Sequence, residues 1–212
     1  MRKNRKYNEM KKGGIKLSKT QGNLDFAIPF TLSFDLNSGL SHQRKPTQRR
    51  LSNMKGMFFD EEALKRMLEV EDTLVYEFYE LGAPENAGDI AFGTSITYPG
   101  KVGNEYFMTK GHFHNVLDTG ETYFCLRGHG YMLLENPEGE WSAQELTPGT
   151  AVYCPKRWAH RSINIGNEPL VTFFAFRADA GHDYGTIEAK GYRKMIVEKD
   201  GKPEIIDNPK WM

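Results

Sequence analysis

His112–Gly128 reads HFHNVLDTGETYFCLRG, and Gly149–Asn164 reads GTAVYCPKRWAHRSIN. His112 and His114 stand two apart, a spacing that puts both imidazoles on one face of a strand. Glu121 opens the aromatic run ETYFCLR, in which Tyr123 shares its face. His160 follows a second apolar run. Three imidazoles and a carboxylate drawn from neighbouring strands supply four N/O donors and leave room for one or two more ligands, which is what a catalytic metal ion needs. Glycine and proline punctuate both stretches at Gly128, Gly149 and Pro155, with Asn164 four residues beyond His160.

Working outward, the apolar period is two from Asp72 onward, and turn-forming residues recur between short runs. The spacing predicts strands over 74–79, 90–98, 106–109, 122–127, 131–135, 141–145, 151–154, 161–165 and 170–177, joined by YPGKVG, RGHG, NPEGE, TPG and IGNEP. Many short antiparallel strands without long helices between them predict an all-β sandwich or barrel. Asp60 is placed to cap a short helix that ends near Val70, with Glu61 and Glu62 in its first turn and Leu64, Met67 and Leu68 as its apolar stripe. A second short helix is expected over 184–190, and strands over 195–197 and 204–206. Before Asp60, FAIPFTLSFDL (Phe26–Leu36) is expected to form one strand and SHQRKPTQRR a polar connection.

Composition narrows the function classes. The 212 residues carry 28 basic and 28 acidic side chains, so no global charge points to nucleic acid. Mean hydropathy is −0.61, and no run of about 18 apolar residues exists to span a membrane. Residues 1–20 are an exception, with eight Lys/Arg against Glu9. No apolar segment of the kind found in a signal peptide follows them, so residues 1–28 are expected to be a basic, flexible extension. Residues 29–212 are expected to form a single domain with a barrel core over about 72–180. Cys125 and Cys154 both lie in strand-like apolar runs and are expected to be buried free thiols, consistent with a cytoplasmic location.

The two stretches resemble the paired motifs of the cupins, which implies an all-β double-stranded β-helix or jelly-roll barrel with a short N-terminal helix and terminal extensions. Six residues separate His114 from Glu121, more than the cupin pattern usually has, and Arg157 stands where glycine is common. The long run YPGKVGNEYFMTKGHFHNVLDTGETYF, with WAHRSINIGNEPL and DAGHDYGTI, closely resembles the cupin-type glucose-6-phosphate isomerases from about Pro29 to DNPKW.

That resemblance implies metal ligation by His112, His114, Glu121 and His160, with one divalent ion per subunit. It also implies sugar-phosphate contacts from Ser95, Thr109, Gly111 and Tyr184, with Tyr123 and His182 lining the pocket. The implied partners are a sugar phosphate and a second copy of the chain, with no membrane and no nucleic acid. Phe176 departs from the family, where tyrosine is usual.

The residues fit aldose–ketose chemistry. That reaction needs a Lewis acid on two sugar oxygens, a proton relay and a phosphate anchor. Glu121 is the leading base, with Tyr123 and His182 as helpers. A carboxylate bound to a cation loses basicity, so Glu121 either leaves the ion when substrate binds or stands beside a direct hydride shift. Fe, Mn, Ni and Zn all suit three imidazoles and a carboxylate. A metal oxygenase and a non-catalytic sugar-phosphate binder remain the alternatives. Lys110, flanked by Thr109 and Gly111, is expected to point away from the pocket. His42 and His129 are expected at the surface.

Overall fold

Strand pairing carries this chain. The computed structural model describes residues 29–80 and 86–211, so the expectations for residues 1–28 lie outside the described residues. The elements below all fall within the unit Thr31–Met212.

The larger sheet runs in the order β1 (Thr47–Arg50), β2 (Leu74–Glu80), β3 (Ile90–Thr97), β11 (Leu170–Arg177), β6 (Glu121–Arg127) and β9 (Ala151–Cys154), every pair antiparallel. β11 anchors it, pairing residue for residue with β3 from Leu170↔Thr97 to Arg177↔Ile90 and with β6 on its other edge. Alternation on β6 buries Glu121, Tyr123 and Cys125 and exposes Thr122 and Phe124.

A second sheet has the order β10 (Ala159–Asn164), β7 (Gly130–Glu135) and β8 (Trp141–Leu146). Its free edge at β10 is extended by an irregular segment, since Thr109 N donates to Ser162 O (2.9 Å) and His160 N donates to His112 O (3.3 Å). Asn164 Nδ2 donates to Thr97 O at 2.8 Å, tying the second sheet to the first. The two sheets enclose a cavity between them, and the result is the all-β barrel that the sequence predicts.

Behind the second sheet lies a further layer. It holds a small third sheet, ordered β13 (Lys202–Asp207), β12 (Lys194–Lys199), β5 (Glu105–Tyr106) and β4 (Lys101–Val102), together with helices α1 (Glu61–Val70) and α2 (Gly185–Lys190). Leu64, Val102, Leu133, Ile163, Ile187 and Ile196 meet there in the main apolar core. α1 starts as expected, with the Asp60 carboxylate accepting from Ala63 N at 2.8 Å.

Three local expectations fail. Residues 29–36 form no strand; the Asp35 carboxylate instead accepts from Asn37 N and Ser38 N and turns the chain, and Gly39 follows with φ +73°. Within SHQRKPTQRR, Thr47–Arg50 is a strand, β1, on the edge of the large sheet. Of residues 106–109, only Tyr106 is in a strand; Met108 makes a single bridge to Ile163.

Candidate active site

One end of the barrel is lined from both sheets. β2 contributes Tyr76, Phe78 and Glu80, β3 Ser95, β6 Glu121 and Tyr123, β10 His160 and Ser162, and β11 Phe174 and Phe176. Thr109, Gly111, His112, His182 and Tyr184 complete a cavity of about 510 Å³, part of it open to solvent. Every residue expected from the sequence to touch substrate, or to help in its chemistry, is therefore on this wall. His114 is set behind it.

His112, His114, Glu121 and His160 converge, their ligand atoms all within 4.8 Å of one another. Backbone carbonyls orient two of the rings. His114 Nδ1 donates to Thr119 O and His160 Nδ1 donates to Trp158 O, each at 3.2 Å, and a carbonyl oxygen can only accept. In the neutral rings both Nε2 atoms then present lone pairs. Yet His114 Nε2 lies 3.1 Å and His160 Nε2 2.9 Å from the same oxygen, Glu121 Oε2.

Lone pairs facing a carboxylate repel unless positive charge stands among them. His112 Nε2 is also buried and has no hydrogen-bond partner, as has His160 Nε2 by direction. Orphaned buried nitrogens around a carboxylate, with their far sides held by carbonyls, fit a divalent cation.

The charge states show the same demand for positive charge beside Glu121, met here by a proton on His160. Burial holds the His112 imidazole well below its ordinary value. Burial also works to lower His160 and to raise Glu121, but each is outweighed by the other, so His160 rises and the Glu121 carboxyl sits below the usual carboxylate range. Burial and the neighbouring Glu121 charge push the Tyr123 hydroxyl well up, so it stays a donor. Burial lowers His182.

Beside the donors the cavity wall offers polar groups. Thr109 Oγ1 accepts from Ser162 N at 3.1 Å, which leaves its own O–H free to donate. Gly111 has φ +73°, a left-handed conformation that glycine adopts readily, and its backbone lines the cavity while a Cβ there would run into Tyr192 and Arg161 behind it. Lys110 points away as expected, its Nζ bound to Glu188 at 2.7 Å. Tyr184 and His182 stack at 5.8 Å and 18°, and His182 lies edge-on to His112 at 4.4 Å.

Sequence reasoning missed Tyr76, Phe78, Glu80, Ser162 and Phe174. Ser162 was within reach, because it stands two residues from His160 on the same strand. Both thiols are free and buried, His42 and His129 are exposed, and Arg157 takes the left-handed conformation at φ +68°, the reason glycine suits that position. No described helix is long and apolar enough to cross a membrane.

A β-barrel that turns three imidazoles and a carboxylate into its interior has the make-up of a cupin. A family model described as Glucose-6-phosphate isomerase (GPI) matches residues 48–211. The chain is 52% identical over 188 residues to the glucose-6-phosphate isomerase of Thermococcus litoralis, covering 89% of this chain and 99% of that one. It is 49% identical to the enzyme of that name from Pyrococcus furiosus (86% and 97% covered) and 41% identical to that of Sinorhizobium medicae (86% and 87%). The chain belongs to this glucose-6-phosphate isomerase family. Among solved structures, an oxalate oxidase in complex with the substrate analogue glycolate aligns with a TM-score of 0.45 and 12% identity over 53% of this chain and 56% of that one.

Proposed function

We propose that the protein interconverts D-glucose 6-phosphate and D-fructose 6-phosphate, with His112, His114, Glu121 and His160 holding one divalent ion drawn from Fe, Mn, Ni and Zn. The observation that carries this reading is the lone-pair cluster around Glu121 Oε2 on the cavity wall of a member of this family. Bound there, a divalent ion supplies Lewis acidity to the sugar's O1 and O2.

The chain's own residues do the rest. Ser95, Thr109, the Gly111 backbone and Tyr184 bind the phosphate and so fix which carbons face Glu121. The sugar opens with His182 as proton relay. Leaving the ion as substrate binds, and so regaining its basicity, the Glu121 carboxylate takes the C2 proton to give an enediol and returns it to C1, while the O2 proton passes to O1. The net change is one hydrogen from C2 to C1 and one from O2 to O1. The Tyr123 hydroxyl, kept protonated, donates to the carboxylate or to a sugar oxygen. Phe174 and Phe176 keep water from the reacting carbons.

Residues 29–212 carry this activity. The working form is a cytoplasmic homodimer, a reading supported by the two free buried thiols and by Phe124 and Tyr153, which stand exposed on the outer face of the large sheet. A coupled assay for fructose 6-phosphate, run before and after exhaustive chelation, tests the proposal. Loss of turnover on chelation and its return with a divalent ion are expected. Turnover unaffected by chelation overturns the metal's role, and sugar-phosphate binding without turnover makes the protein a binder.

A further inference from the structure

On β10, His160 and Ser162 turn into the cavity, so strand alternation sends Arg161 the other way, into the layer between the second and third sheets. There it is 3% exposed. Its Nη2 donates to Lys110 O at 2.5 Å, and Nη1 lies 3.0 Å from Met108 Sδ. The guanidinium carbon stands 4.3 Å from the centre of the Tyr192 ring. Among the described residues no carboxylate comes within ion-pair distance of it, and its Nε has no partner.

A buried guanidinium without a direct ion pair is costly: the charges of the buried Glu105 and Glu135 act on it from beyond contact distance but do not outweigh its burial, and an apolar side chain would fill the same space without that cost. What the guanidinium alone supplies is a fixed donor on the Lys110 carbonyl together with a flat face on Tyr192. That carbonyl belongs to the peptide leading into Gly111 and His112. At Gly111 a Cβ would lie 2.5 Å from Tyr192 Oη and 2.9 Å from Arg161 Cβ, so the same two side chains close the turn from behind. In front, this turn offers the Thr109 hydroxyl, the Gly111 backbone and the His112 imidazole to the cavity.

We propose that Arg161 is a positioning residue that holds the Thr109–His112 turn where its groups meet both the ion and the sugar phosphate. This rests on the metal-centre reading above. Arg161 acts through Lys110 O and touches neither ligand.

The test uses the full-length protein, wild type against R161K and R161M, with L64A as a control destabilised elsewhere in the same core. Each is titrated with Mn²⁺ alone, in competition with a chelating dye, at a temperature where circular dichroism shows it folded. KM and kcat for glucose 6-phosphate are then measured at saturating Mn²⁺. Both Arg161 variants are expected to bind Mn²⁺ at least tenfold more weakly and to raise KM severalfold, R161K less than R161M, while L64A keeps wild-type values for both. Wild-type Mn²⁺ affinity and KM in folded R161K or R161M overturn the proposal, and so does an equal weakening in L64A. Wild-type protein that takes up none of Mn²⁺, Fe²⁺, Ni²⁺ and Zn²⁺ overturns the metal-centre reading and this proposal with it.

Discussion

Phe176 lies nearly parallel to His114, their ring centres 5.6 Å apart and their planes 18° from each other. The same ring meets His182 edge-on at 5.5 Å and lines the cavity. The residue where the resemblance leads one to expect tyrosine is thus in contact with one proposed ligand and with the proposed proton relay.

Replacing Phe176 with tyrosine keeps the stack and adds a donor at the cavity wall. One neutral hydrogen bond contributes roughly 0.5–1.5 kcal/mol. The Phe176→Tyr variant is therefore expected to lower KM for glucose 6-phosphate by about three- to tenfold, with kcat changed by less than about twofold. Steady-state kinetics decide the matter, and an unchanged KM means the ring edge does not face the phosphate.

Glu121 is asked both to hold the ion and to move a proton. Glutamine keeps its size but loses its charge and its basicity. Glu121→Gln is expected to weaken Mn²⁺ uptake and to cut kcat by on the order of 10²- to 10⁴-fold, the usual worth of a positioned base. Isomerisation in D₂O should place deuterium on the carbon that receives the proton. A variant that keeps more than a tenth of wild-type turnover speaks against Glu121 as base.

Arg157 sits at φ +68° and pairs with Glu138 at 2.5 Å through a half-exposed contact. The left-handed region costs a non-glycine residue about 1–2 kcal/mol, whereas an ion pair this exposed is screened by water and returns little. Arg157→Gly is therefore expected to raise stability by about 0.5–1 kcal/mol without altering KM, as read by denaturant unfolding. A net loss of stability would mean that the pair outweighs the backbone.

Burial pushes the Glu105 carboxyl up from 4.5 to about 7, against the opposing pull of Arg161 and Lys210 and the hydrogen bond from Phe59 N. An acid raised on folding binds a proton more tightly in the folded state. Its contribution to stability is therefore greatest below about pH 4.5, declines as pH rises, and is fully lost above about 7, a swing of roughly 3 kcal/mol. Glutamine keeps an acceptor for Phe59 N and cannot ionise. The stability of Glu105→Gln relative to wild type should rise between pH 5 and 7.5; a difference flat with pH would show that Glu105 does not titrate in that range.

The donor set was legible because an extended chain's period of two brings His112/His114 and Glu121/Tyr123 to shared faces, although only Glu121 and Tyr123 are in a strand and His112 and His114 stand in an irregular segment with isolated bridges. Partners were not. Tyr76, Phe78 and Glu80 alternate plainly on β2, but nothing local says that this face closes the cavity formed by β10 and β6. β1 was invisible for the opposite reason, since Thr47–Arg50 is polar and mostly exposed and is held only by its pairing with β2. The apolar run Phe26–Leu36 suggested a strand, but in its described part Ser33 N donates to the Gln43 side chain rather than to a ladder, and the Asp35 carboxylate turns the chain at the end of the run by accepting from Asn37 N and Ser38 N.

Three of the four proposed donors fall within the ten residues from His112 to Glu121, and the fourth, His160, comes 39 residues after Glu121. The backbone bridge between His112 and His160 forms only when the chain's second half docks against its first. During synthesis a nascent polypeptide ending anywhere before β10 owns an incomplete coordination set, and the fourth imidazole arrives after most of the larger sheet has been translated. On the proposed metal centre, tight capture of an ion would wait for barrel closure, so metal loading would act as a readout of finished folding, and an ion, once seated, would lock the late-made half of the molecule onto the early one.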